Sequence, residues 1–220
     1  VIGETLITGI GQGYTQTTPL QLCQMTAQLA NGGFKIYPKI IVEKDSKTSE
    51  EISLIMNENR KQLNKKDSGL KETTELLGFL DKKEHEVLFK SSKNINLVCE
   101  AMFASTNEVR GTSYKSRIED PKYQFAGKTG TSQVRRITKA ARDLDLSTSE
   151  IPYNERDHAL YIAFGPYKNP RYALSIVVEH GGSGSSVAAP IAKKLFKLII
   201  DRHELREKQT KQTKQTNLEI

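Results

Sequence analysis

An α+β fold, an antiparallel sheet flanked by helices, is predicted by three observations in the sequence. A helix with both ends written locally lies near the start, over 18–33. Two apolar runs, HALYIAFG (158–165) and RYALSIVVE (171–179), are joined by PYKNP, a Pro/Asn turn of hairpin length. A second helix-spaced run, VAAPIAKKLFKLIIDRH (187–203), follows them. Helix, strand, hairpin and helix in that order argue for an antiparallel rather than a parallel sheet.

The elements read as follows in chain order. The chain opens on Val1 rather than Met and enters an apolar, strand-like stretch, as if it began inside a longer protein. In the first helix Thr18 is the cap, Pro19 suits the first helical position and Gln21 completes a capping box. Leu20, Leu22, Cys23, Met25, Leu29 and Ala30 supply its apolar positions, and Gly32–Gly33 is a left-handed stop. Gly9, Gly11 and Gly13 precede it as GxGxG, which lacks the spacing and the downstream acidic residue of a dinucleotide loop. Residues 43–90 hold 21 charged residues in 48 and read as a solvated insertion. NINLVCEAMFAS (94–105) has helical spacing through Ile95, Val98, Met102 and Phe103 and predicts a buried helix ending before Gly111. YQFAGKTGTSQV (123–134) reads as a Gly- and Thr-rich strand. The hairpin strands are apolar on both faces, as strands covered by helices on each side must be. GGSGSS (181–186) is a loop, and Ile191, Leu195, Leu198 and Ile199 mark the helix after it. KQTKQTKQT (208–216) lacks any apolar residue and predicts a disordered tail over 204–220.

Composition narrows the function. At 36% hydrophobic and 27% charged, the 220 residues can bury a core. No uncharged apolar run approaches the roughly 20 residues that a membrane helix needs. Net charge is +7, but every block mixes both signs and none exceeds +3, so no basic stripe predicts a nucleic-acid partner. Cys23 and Cys99 are far apart and fit buried thiols, and the four histidines show no metal spacing, so neither metal nor cofactor is expected.

Chemistry points to FAGKTGT (125–131). Lys128 supplies a cation and Thr129 a hydroxyl, while Gly130 removes the side chain that would block a ligand lying along the strand edge. The backbone N–H of Thr131 then faces a carbonyl oxygen and forms half of an oxyanion hole. Strict alternation, however, sends Lys128 and Thr129 to opposite faces, so both serve one site only where a twisted strand edges a cleft.

The runs GIGQGYTQTTPLQLCQMTAQLANGG, FAGKTGTSQV and RDHALYIAFGPYKNPRYALSIVVEHGGSGSSVAAPIA together resemble the penicillin-binding transpeptidases, in particular the elongation-specific D,D-transpeptidases of the bacterial wall. The resemblance covers 1–42 and about 94–200, and marks 1–203 as the C-terminal portion of a transpeptidase domain with 43–90 inserted. It implies a serine β-lactamase/transpeptidase-like fold that is incomplete, its upstream helical part missing. It implies acyl transfer on D-Ala-D-Ala stem peptides, with Lys128, Thr129 and Gly130 seating the substrate or a β-lactam. Thr131 then acts through its backbone, Gln12, Gly13 and Tyr14 flank the cleft, and Gly181 to Gly184 border it. Implied partners are peptidoglycan stem peptides, β-lactams, the missing N-terminal half of the domain and membrane proteins of the elongation machinery. The implied location is the periplasmic face of the bacterial inner membrane.

The family's three motifs are SxxK, SxN and KTG, the first two upstream of the GQGY loop. That loop already stands at 11–14, so the nucleophile and base are expected to be absent from this chain and the chain to be inactive alone. Ser68-Gly-Leu-Lys71, Ser92-Lys93-Asn94 and Ser105-Thr106-Asn107 match the patterns by coincidence: a catalytic Ser needs a buried helix start where Lys is desolvated into a base, and Ser68 lies among charges. Two readings compete, a non-catalytic remnant or interaction module of a split gene, and a serine β-lactamase, against which the GQGY loop and the RDHALYIAF hairpin count.

Overall fold

The computed structural model describes residues 2–39, 87–89, 91–134 and 147–216. Its elements are α1 (Ile2–Gly9), α2 (Pro19–Ala30), α3 (Ser92–Asn107), β1 (Ala126–Ser132), β2 (His158–Gly165), β3 (Tyr172–Val178) and α4 (Ala189–Thr216). The strands form one antiparallel sheet in the order β1-β2-β3. The predicted α+β class therefore stands, and both faces of the sheet are covered.

Alternation sorts the side chains onto those faces. On one side Ala126 and Phe164 pack with Ala30 of α2 and Ile95, Cys99 and Met102 of α3. On the other, Ala159, Tyr161 and Ala163 pack with Phe125 and with Ala189, Ala192, Phe196 and Ile200 of α4. Phe125 stacks on Phe196 with ring centroids 4.9 Å apart.

Local signals placed α2 well. Thr18 Oγ1 accepts from Gln21 N at 3.2 Å and Gln21 Oε1 accepts from Thr18 N at 2.8 Å, the predicted capping box. Gly32 and Gly33 hold positive φ of 92° and 97°, the predicted left-handed stop. Both cysteines are thiols, Cys23 half-buried with its pKa raised by desolvation and Cys99 buried.

Four readings change. The strand-like opening is helical over Ile2–Gly9, since eight residues of mixed apolar and polar character fit either period. The buried row of α3 is Ile95, Cys99, Met102 and Thr106, and Val98 is exposed. In α4 the row facing the sheet is Ala192, Phe196 and Ile200, whereas Ile191 and Leu198 are exposed. Two adjacent apolar rows have the same period, so the spacing alone does not say which of them faces the sheet; the helix follows a π turn at Gly184–Ala188. Finally α4 continues to Thr216, so the predicted disordered tail is helical over 204–216. Lys, Gln, Arg and Glu are good helix formers, and elongation from a packed stem avoids the nucleation cost. Ser68 and Lys71 lie outside the described residues, as does most of the insertion at 43–90.

Candidate functional site

One edge of the sheet is β1, and α3 hydrogen-bonds to the first half of it. Phe125 C=O accepts from Asn107 Nδ2 at 2.9 Å, and Gly127 C=O from the Thr106 hydroxyl at 3.5 Å. Antiparallel alternation then turns the N–H and C=O of Thr129 and Thr131 to the same outer edge. The SxN-like Ser105-Thr106-Asn107 thus holds a helix end against a strand: Thr106 is fully buried and Asn107 bridges Phe103 C=O to Phe125 C=O.

Lys128 and Thr129 alternate as strand geometry requires, facing Ile162 and Tyr161 respectively across the register. The lysine side chain nevertheless curls back along the edge. Its Nζ donates to Thr129 C=O at 2.9 Å and to Thr129 Oγ1 at 3.3 Å. Cation and hydroxyl therefore share one rim, which resolves the geometric conflict posed by the sequence. Lys128 is exposed and Thr129 and Gly130 are half-buried, so the rim is open to solvent.

Gly130 faces Leu160, and a Cβ there would stand 3.2 Å from Leu160 Cβ. At the far end of the Gly loop, a Cβ on Gly184 would stand 2.4 Å from Leu160 O and 2.7 Å from Gly130 O. Backbone cannot yield at that distance, so only glycine fits. The loop is launched by His180, a non-glycine residue at φ 54° whose N–H donates to His158 Nδ1 at 2.9 Å. Gln12, Gly13 and Tyr14 lie in the turn after α1. Among the described residues their contacts run to α1: Gln12 N donates to Ile7 O at 3.1 Å, and Gly13 and Tyr14 line a recess of about 260 Å³ with Glu4, Ile7, Thr8 and Thr15.

Beneath the strand lies a buried hydroxyl cluster that sequence reading missed. Tyr161 OH is 2.9 Å from Thr106 Oγ1 and 3.0 Å from Ser113 Oγ, all three residues at most 2% exposed. The same phenol fills the space a Cβ on Gly127 would need, at 2.4 Å. Burial pushes the Tyr161 phenol above its ordinary pKa, against the pull of the Ser113 and Thr106 hydroxyls, and keeps it protonated. The cluster sits one residue before Lys128.

The family model for the penicillin-binding protein transpeptidase domain matches residues 2–197. The chain belongs to that family. The peptidoglycan D,D-transpeptidase MrdA of Salmonella typhimurium is 31% identical over 199 residues, 90% of this chain and 27% of that protein. MrdA of Escherichia coli is 28% identical over 94% of this chain and 27% of its own length. Among solved structures, Pseudomonas aeruginosa PBP2 in complex with WCK 5153 aligns with TM-score 0.54 and 34% identity, over 87% of this chain and 31% of that one. Helicobacter pylori PBP2 in complex with MreC aligns with TM-score 0.57 and 28% identity, over 90% and 28%. This chain spans about a quarter of the length of the curated relatives it matches. Among its described residues no helix is long and apolar enough to cross a membrane, and no group of His, Cys, Asp or Glu is arranged to hold a metal.

Proposed function

We propose that this chain supplies the substrate-seating wall of a peptidoglycan D,D-transpeptidase that acts on D-Ala-D-Ala stem peptides by acyl transfer. The observation that carries the reading is the edge of β1, where the Lys128 ammonium and the Thr129 hydroxyl meet on one rim. A peptide carboxylate at that rim gains a cation and a donor together. The scissile carbonyl then lies toward Thr131, whose N–H points to the outer edge and stabilises negative charge developing on the oxygen. Gly130 keeps the path between them clear. Gln12, Gly13 and Tyr14 flank the same cleft and Gly181 to Gly184 border it, on the strength of the family resemblance.

The reaction needs a Ser nucleophile to attack the carbonyl of the penultimate D-Ala, expel D-Ala and pass the acyl group to an amine of a neighbouring stem peptide. We place that Ser and the Lys that activates it outside residues 1–220, in an upstream half of the domain that docks on this chain. Exposed Leu6, Ile7 and Ile10 on and just after α1 suit such a partner. β-Lactams share the carboxylate and the acyl carbonyl and bind the same rim. Membrane proteins of cell-wall elongation and the periplasmic face of the inner membrane complete the assignment.

Titration with N-acetyl-D-Ala-D-Ala should shift the backbone amide resonances of Lys128 to Thr131, and Lys128→Ala should abolish those shifts. Fluorescent penicillin should leave no covalent label on the 220 residues. Binding unaffected by Lys128→Ala would sink the seating assignment, and labelling at Ser68 would show that the nucleophile lies within the chain.

A further inference from the structure

The turn that follows α3 delivers a hydroxyl to the rim that no motif announces. After Asn107 the chain doubles back, with Glu108 N bonded to Ala104 O and Gly111 N to Glu108 O at 2.8 Å. Gly111 crosses the helix end so closely that a Cβ would stand 2.3 Å from Ser105 O and 2.6 Å from Ala104 O. Both are backbone carbonyls, so no larger residue passes there. Two positions on, Ser113 is 1% exposed and bound to Ser105 O by its N–H at 3.0 Å and its hydroxyl at 3.1 Å. Thr112 is thereby fixed between two immobile neighbours, with its own side chain exposed. Its Oγ1 stands 3.0 Å from Ser105 Oγ and 3.3 Å from Thr129 Oγ1.

We propose that Thr112 is a positioning residue of the anion seat, orienting the Thr129 hydroxyl so that its proton points at a ligand carboxylate. The inference rests on the seating role of Lys128 and Thr129 proposed above. A threonine hydroxyl has two lone pairs and one proton. Lys128 Nζ donates to one lone pair of Thr129 Oγ1. When Thr112 donates to the other, the only group left to Thr129 is its own O–H, which then has no direction but outward. In the ligand-free arrangement Thr129 donates to Thr112 instead, and arrival of an anion reverses that pair. Ser105 Oγ–H donates to Thr112 Oγ1 and completes a chain of hydroxyls ending at the anion, each bond polarising the next. No bond is made or broken; the chain changes only where protons point.

The test uses the 220-residue chain, its amide spectrum and two probes, N-acetyl-D-Ala-D-Ala and its C-terminal amide. Thr112→Val keeps the shape and removes the hydroxyl. Loss of one such hydrogen bond should weaken binding of the free carboxylate about five- to tenfold, leave the amide unchanged, and be reversed by Thr112→Ser. Equal weakening of both probes, or none, overturns the proposal. Lys128→Ala separates it from the reading beneath it. If wild-type chain binds neither probe, or Lys128→Ala binds as wild type does, both fall; if Lys128→Ala loses binding and Thr112→Val does not, Thr112 alone is dismissed. Should Thr112→Val fail to fold, Ser105→Ala breaks the chain from its far end, and the carboxylate probe should weaken about two- to threefold. An unchanged affinity in that variant overturns the proposal equally.

Discussion

Tyr161 shows how a single residue joins the core to the rim. Its ring packs in the cluster under α4 while its phenol reaches the Thr106 and Ser113 hydroxyls beneath Gly127. Tyr161→Phe leaves those two buried hydroxyls short of a partner, which should lower unfolding free energy by about 1–3 kcal/mol. Denaturant unfolding measures it. The KTG residues were legible because a cation, a hydroxyl and a glycine in a row is a chemical statement in itself. Thr112 and Tyr161 were not. Thr112 meets Thr129 across 17 positions, and the only local hint is the Gly-Thr-Ser run at 111–113.

At the scale of elements, α4 is held to the sheet by its apolar row and by two ionic clasps. Lys122 bonds Asp201 at 3.1 Å and Glu204 at 2.9 Å, while Arg171 bonds Glu207 at 2.7 Å beside His203. The Tyr123 hydroxyl and the Lys122 ammonium hold the Asp201 carboxyl below its ordinary range, and Arg171, with His203, does the same for Glu207. A depressed carboxylate contributes stability that is present above its unfolded pKa, about 4, and is lost as pH falls through the folded value. Acidification from about pH 6 to about pH 3 should therefore speed hydrogen exchange along α4 before the hairpin opens, and Asp201→Asn with Glu207→Gln should flatten that response. Salt should weaken both clasps, since all these groups are partly exposed. The ends of α2 and the β2–β3 hairpin were legible, being written within a few residues of themselves. The facing row of α4 was not, because periodicity gives a stripe and not the direction in which it points.

For the whole molecule, the apolar surface left open is a physical statement about partners. Leu6 is 69% exposed, Ile10 77% and Tyr14 88%, and Gly3 through Ile10 carry no buried side chain. Leu6→Glu with Ile10→Glu should reduce binding of a hydrophobic dye and raise solubility, while unfolding free energy stays within about 0.5 kcal/mol. A fall in stability together with unchanged dye binding would mean that α1 packs on the body rather than awaiting a partner. By itself the sequence determined the α+β class, the strands of the hairpin, the capped α2 and the cationic strand at 128, because caps, alternation and motif chemistry act over a few residues. Only the tertiary structure decided that α3 hydrogen-bonds to the first half of the β1 edge, that Lys128 curls round to join Thr129, and that Gly111 brings Thr112 to the same rim. Those are distances between residues remote in the chain, set by how helices close over a sheet, and no local pattern encodes them.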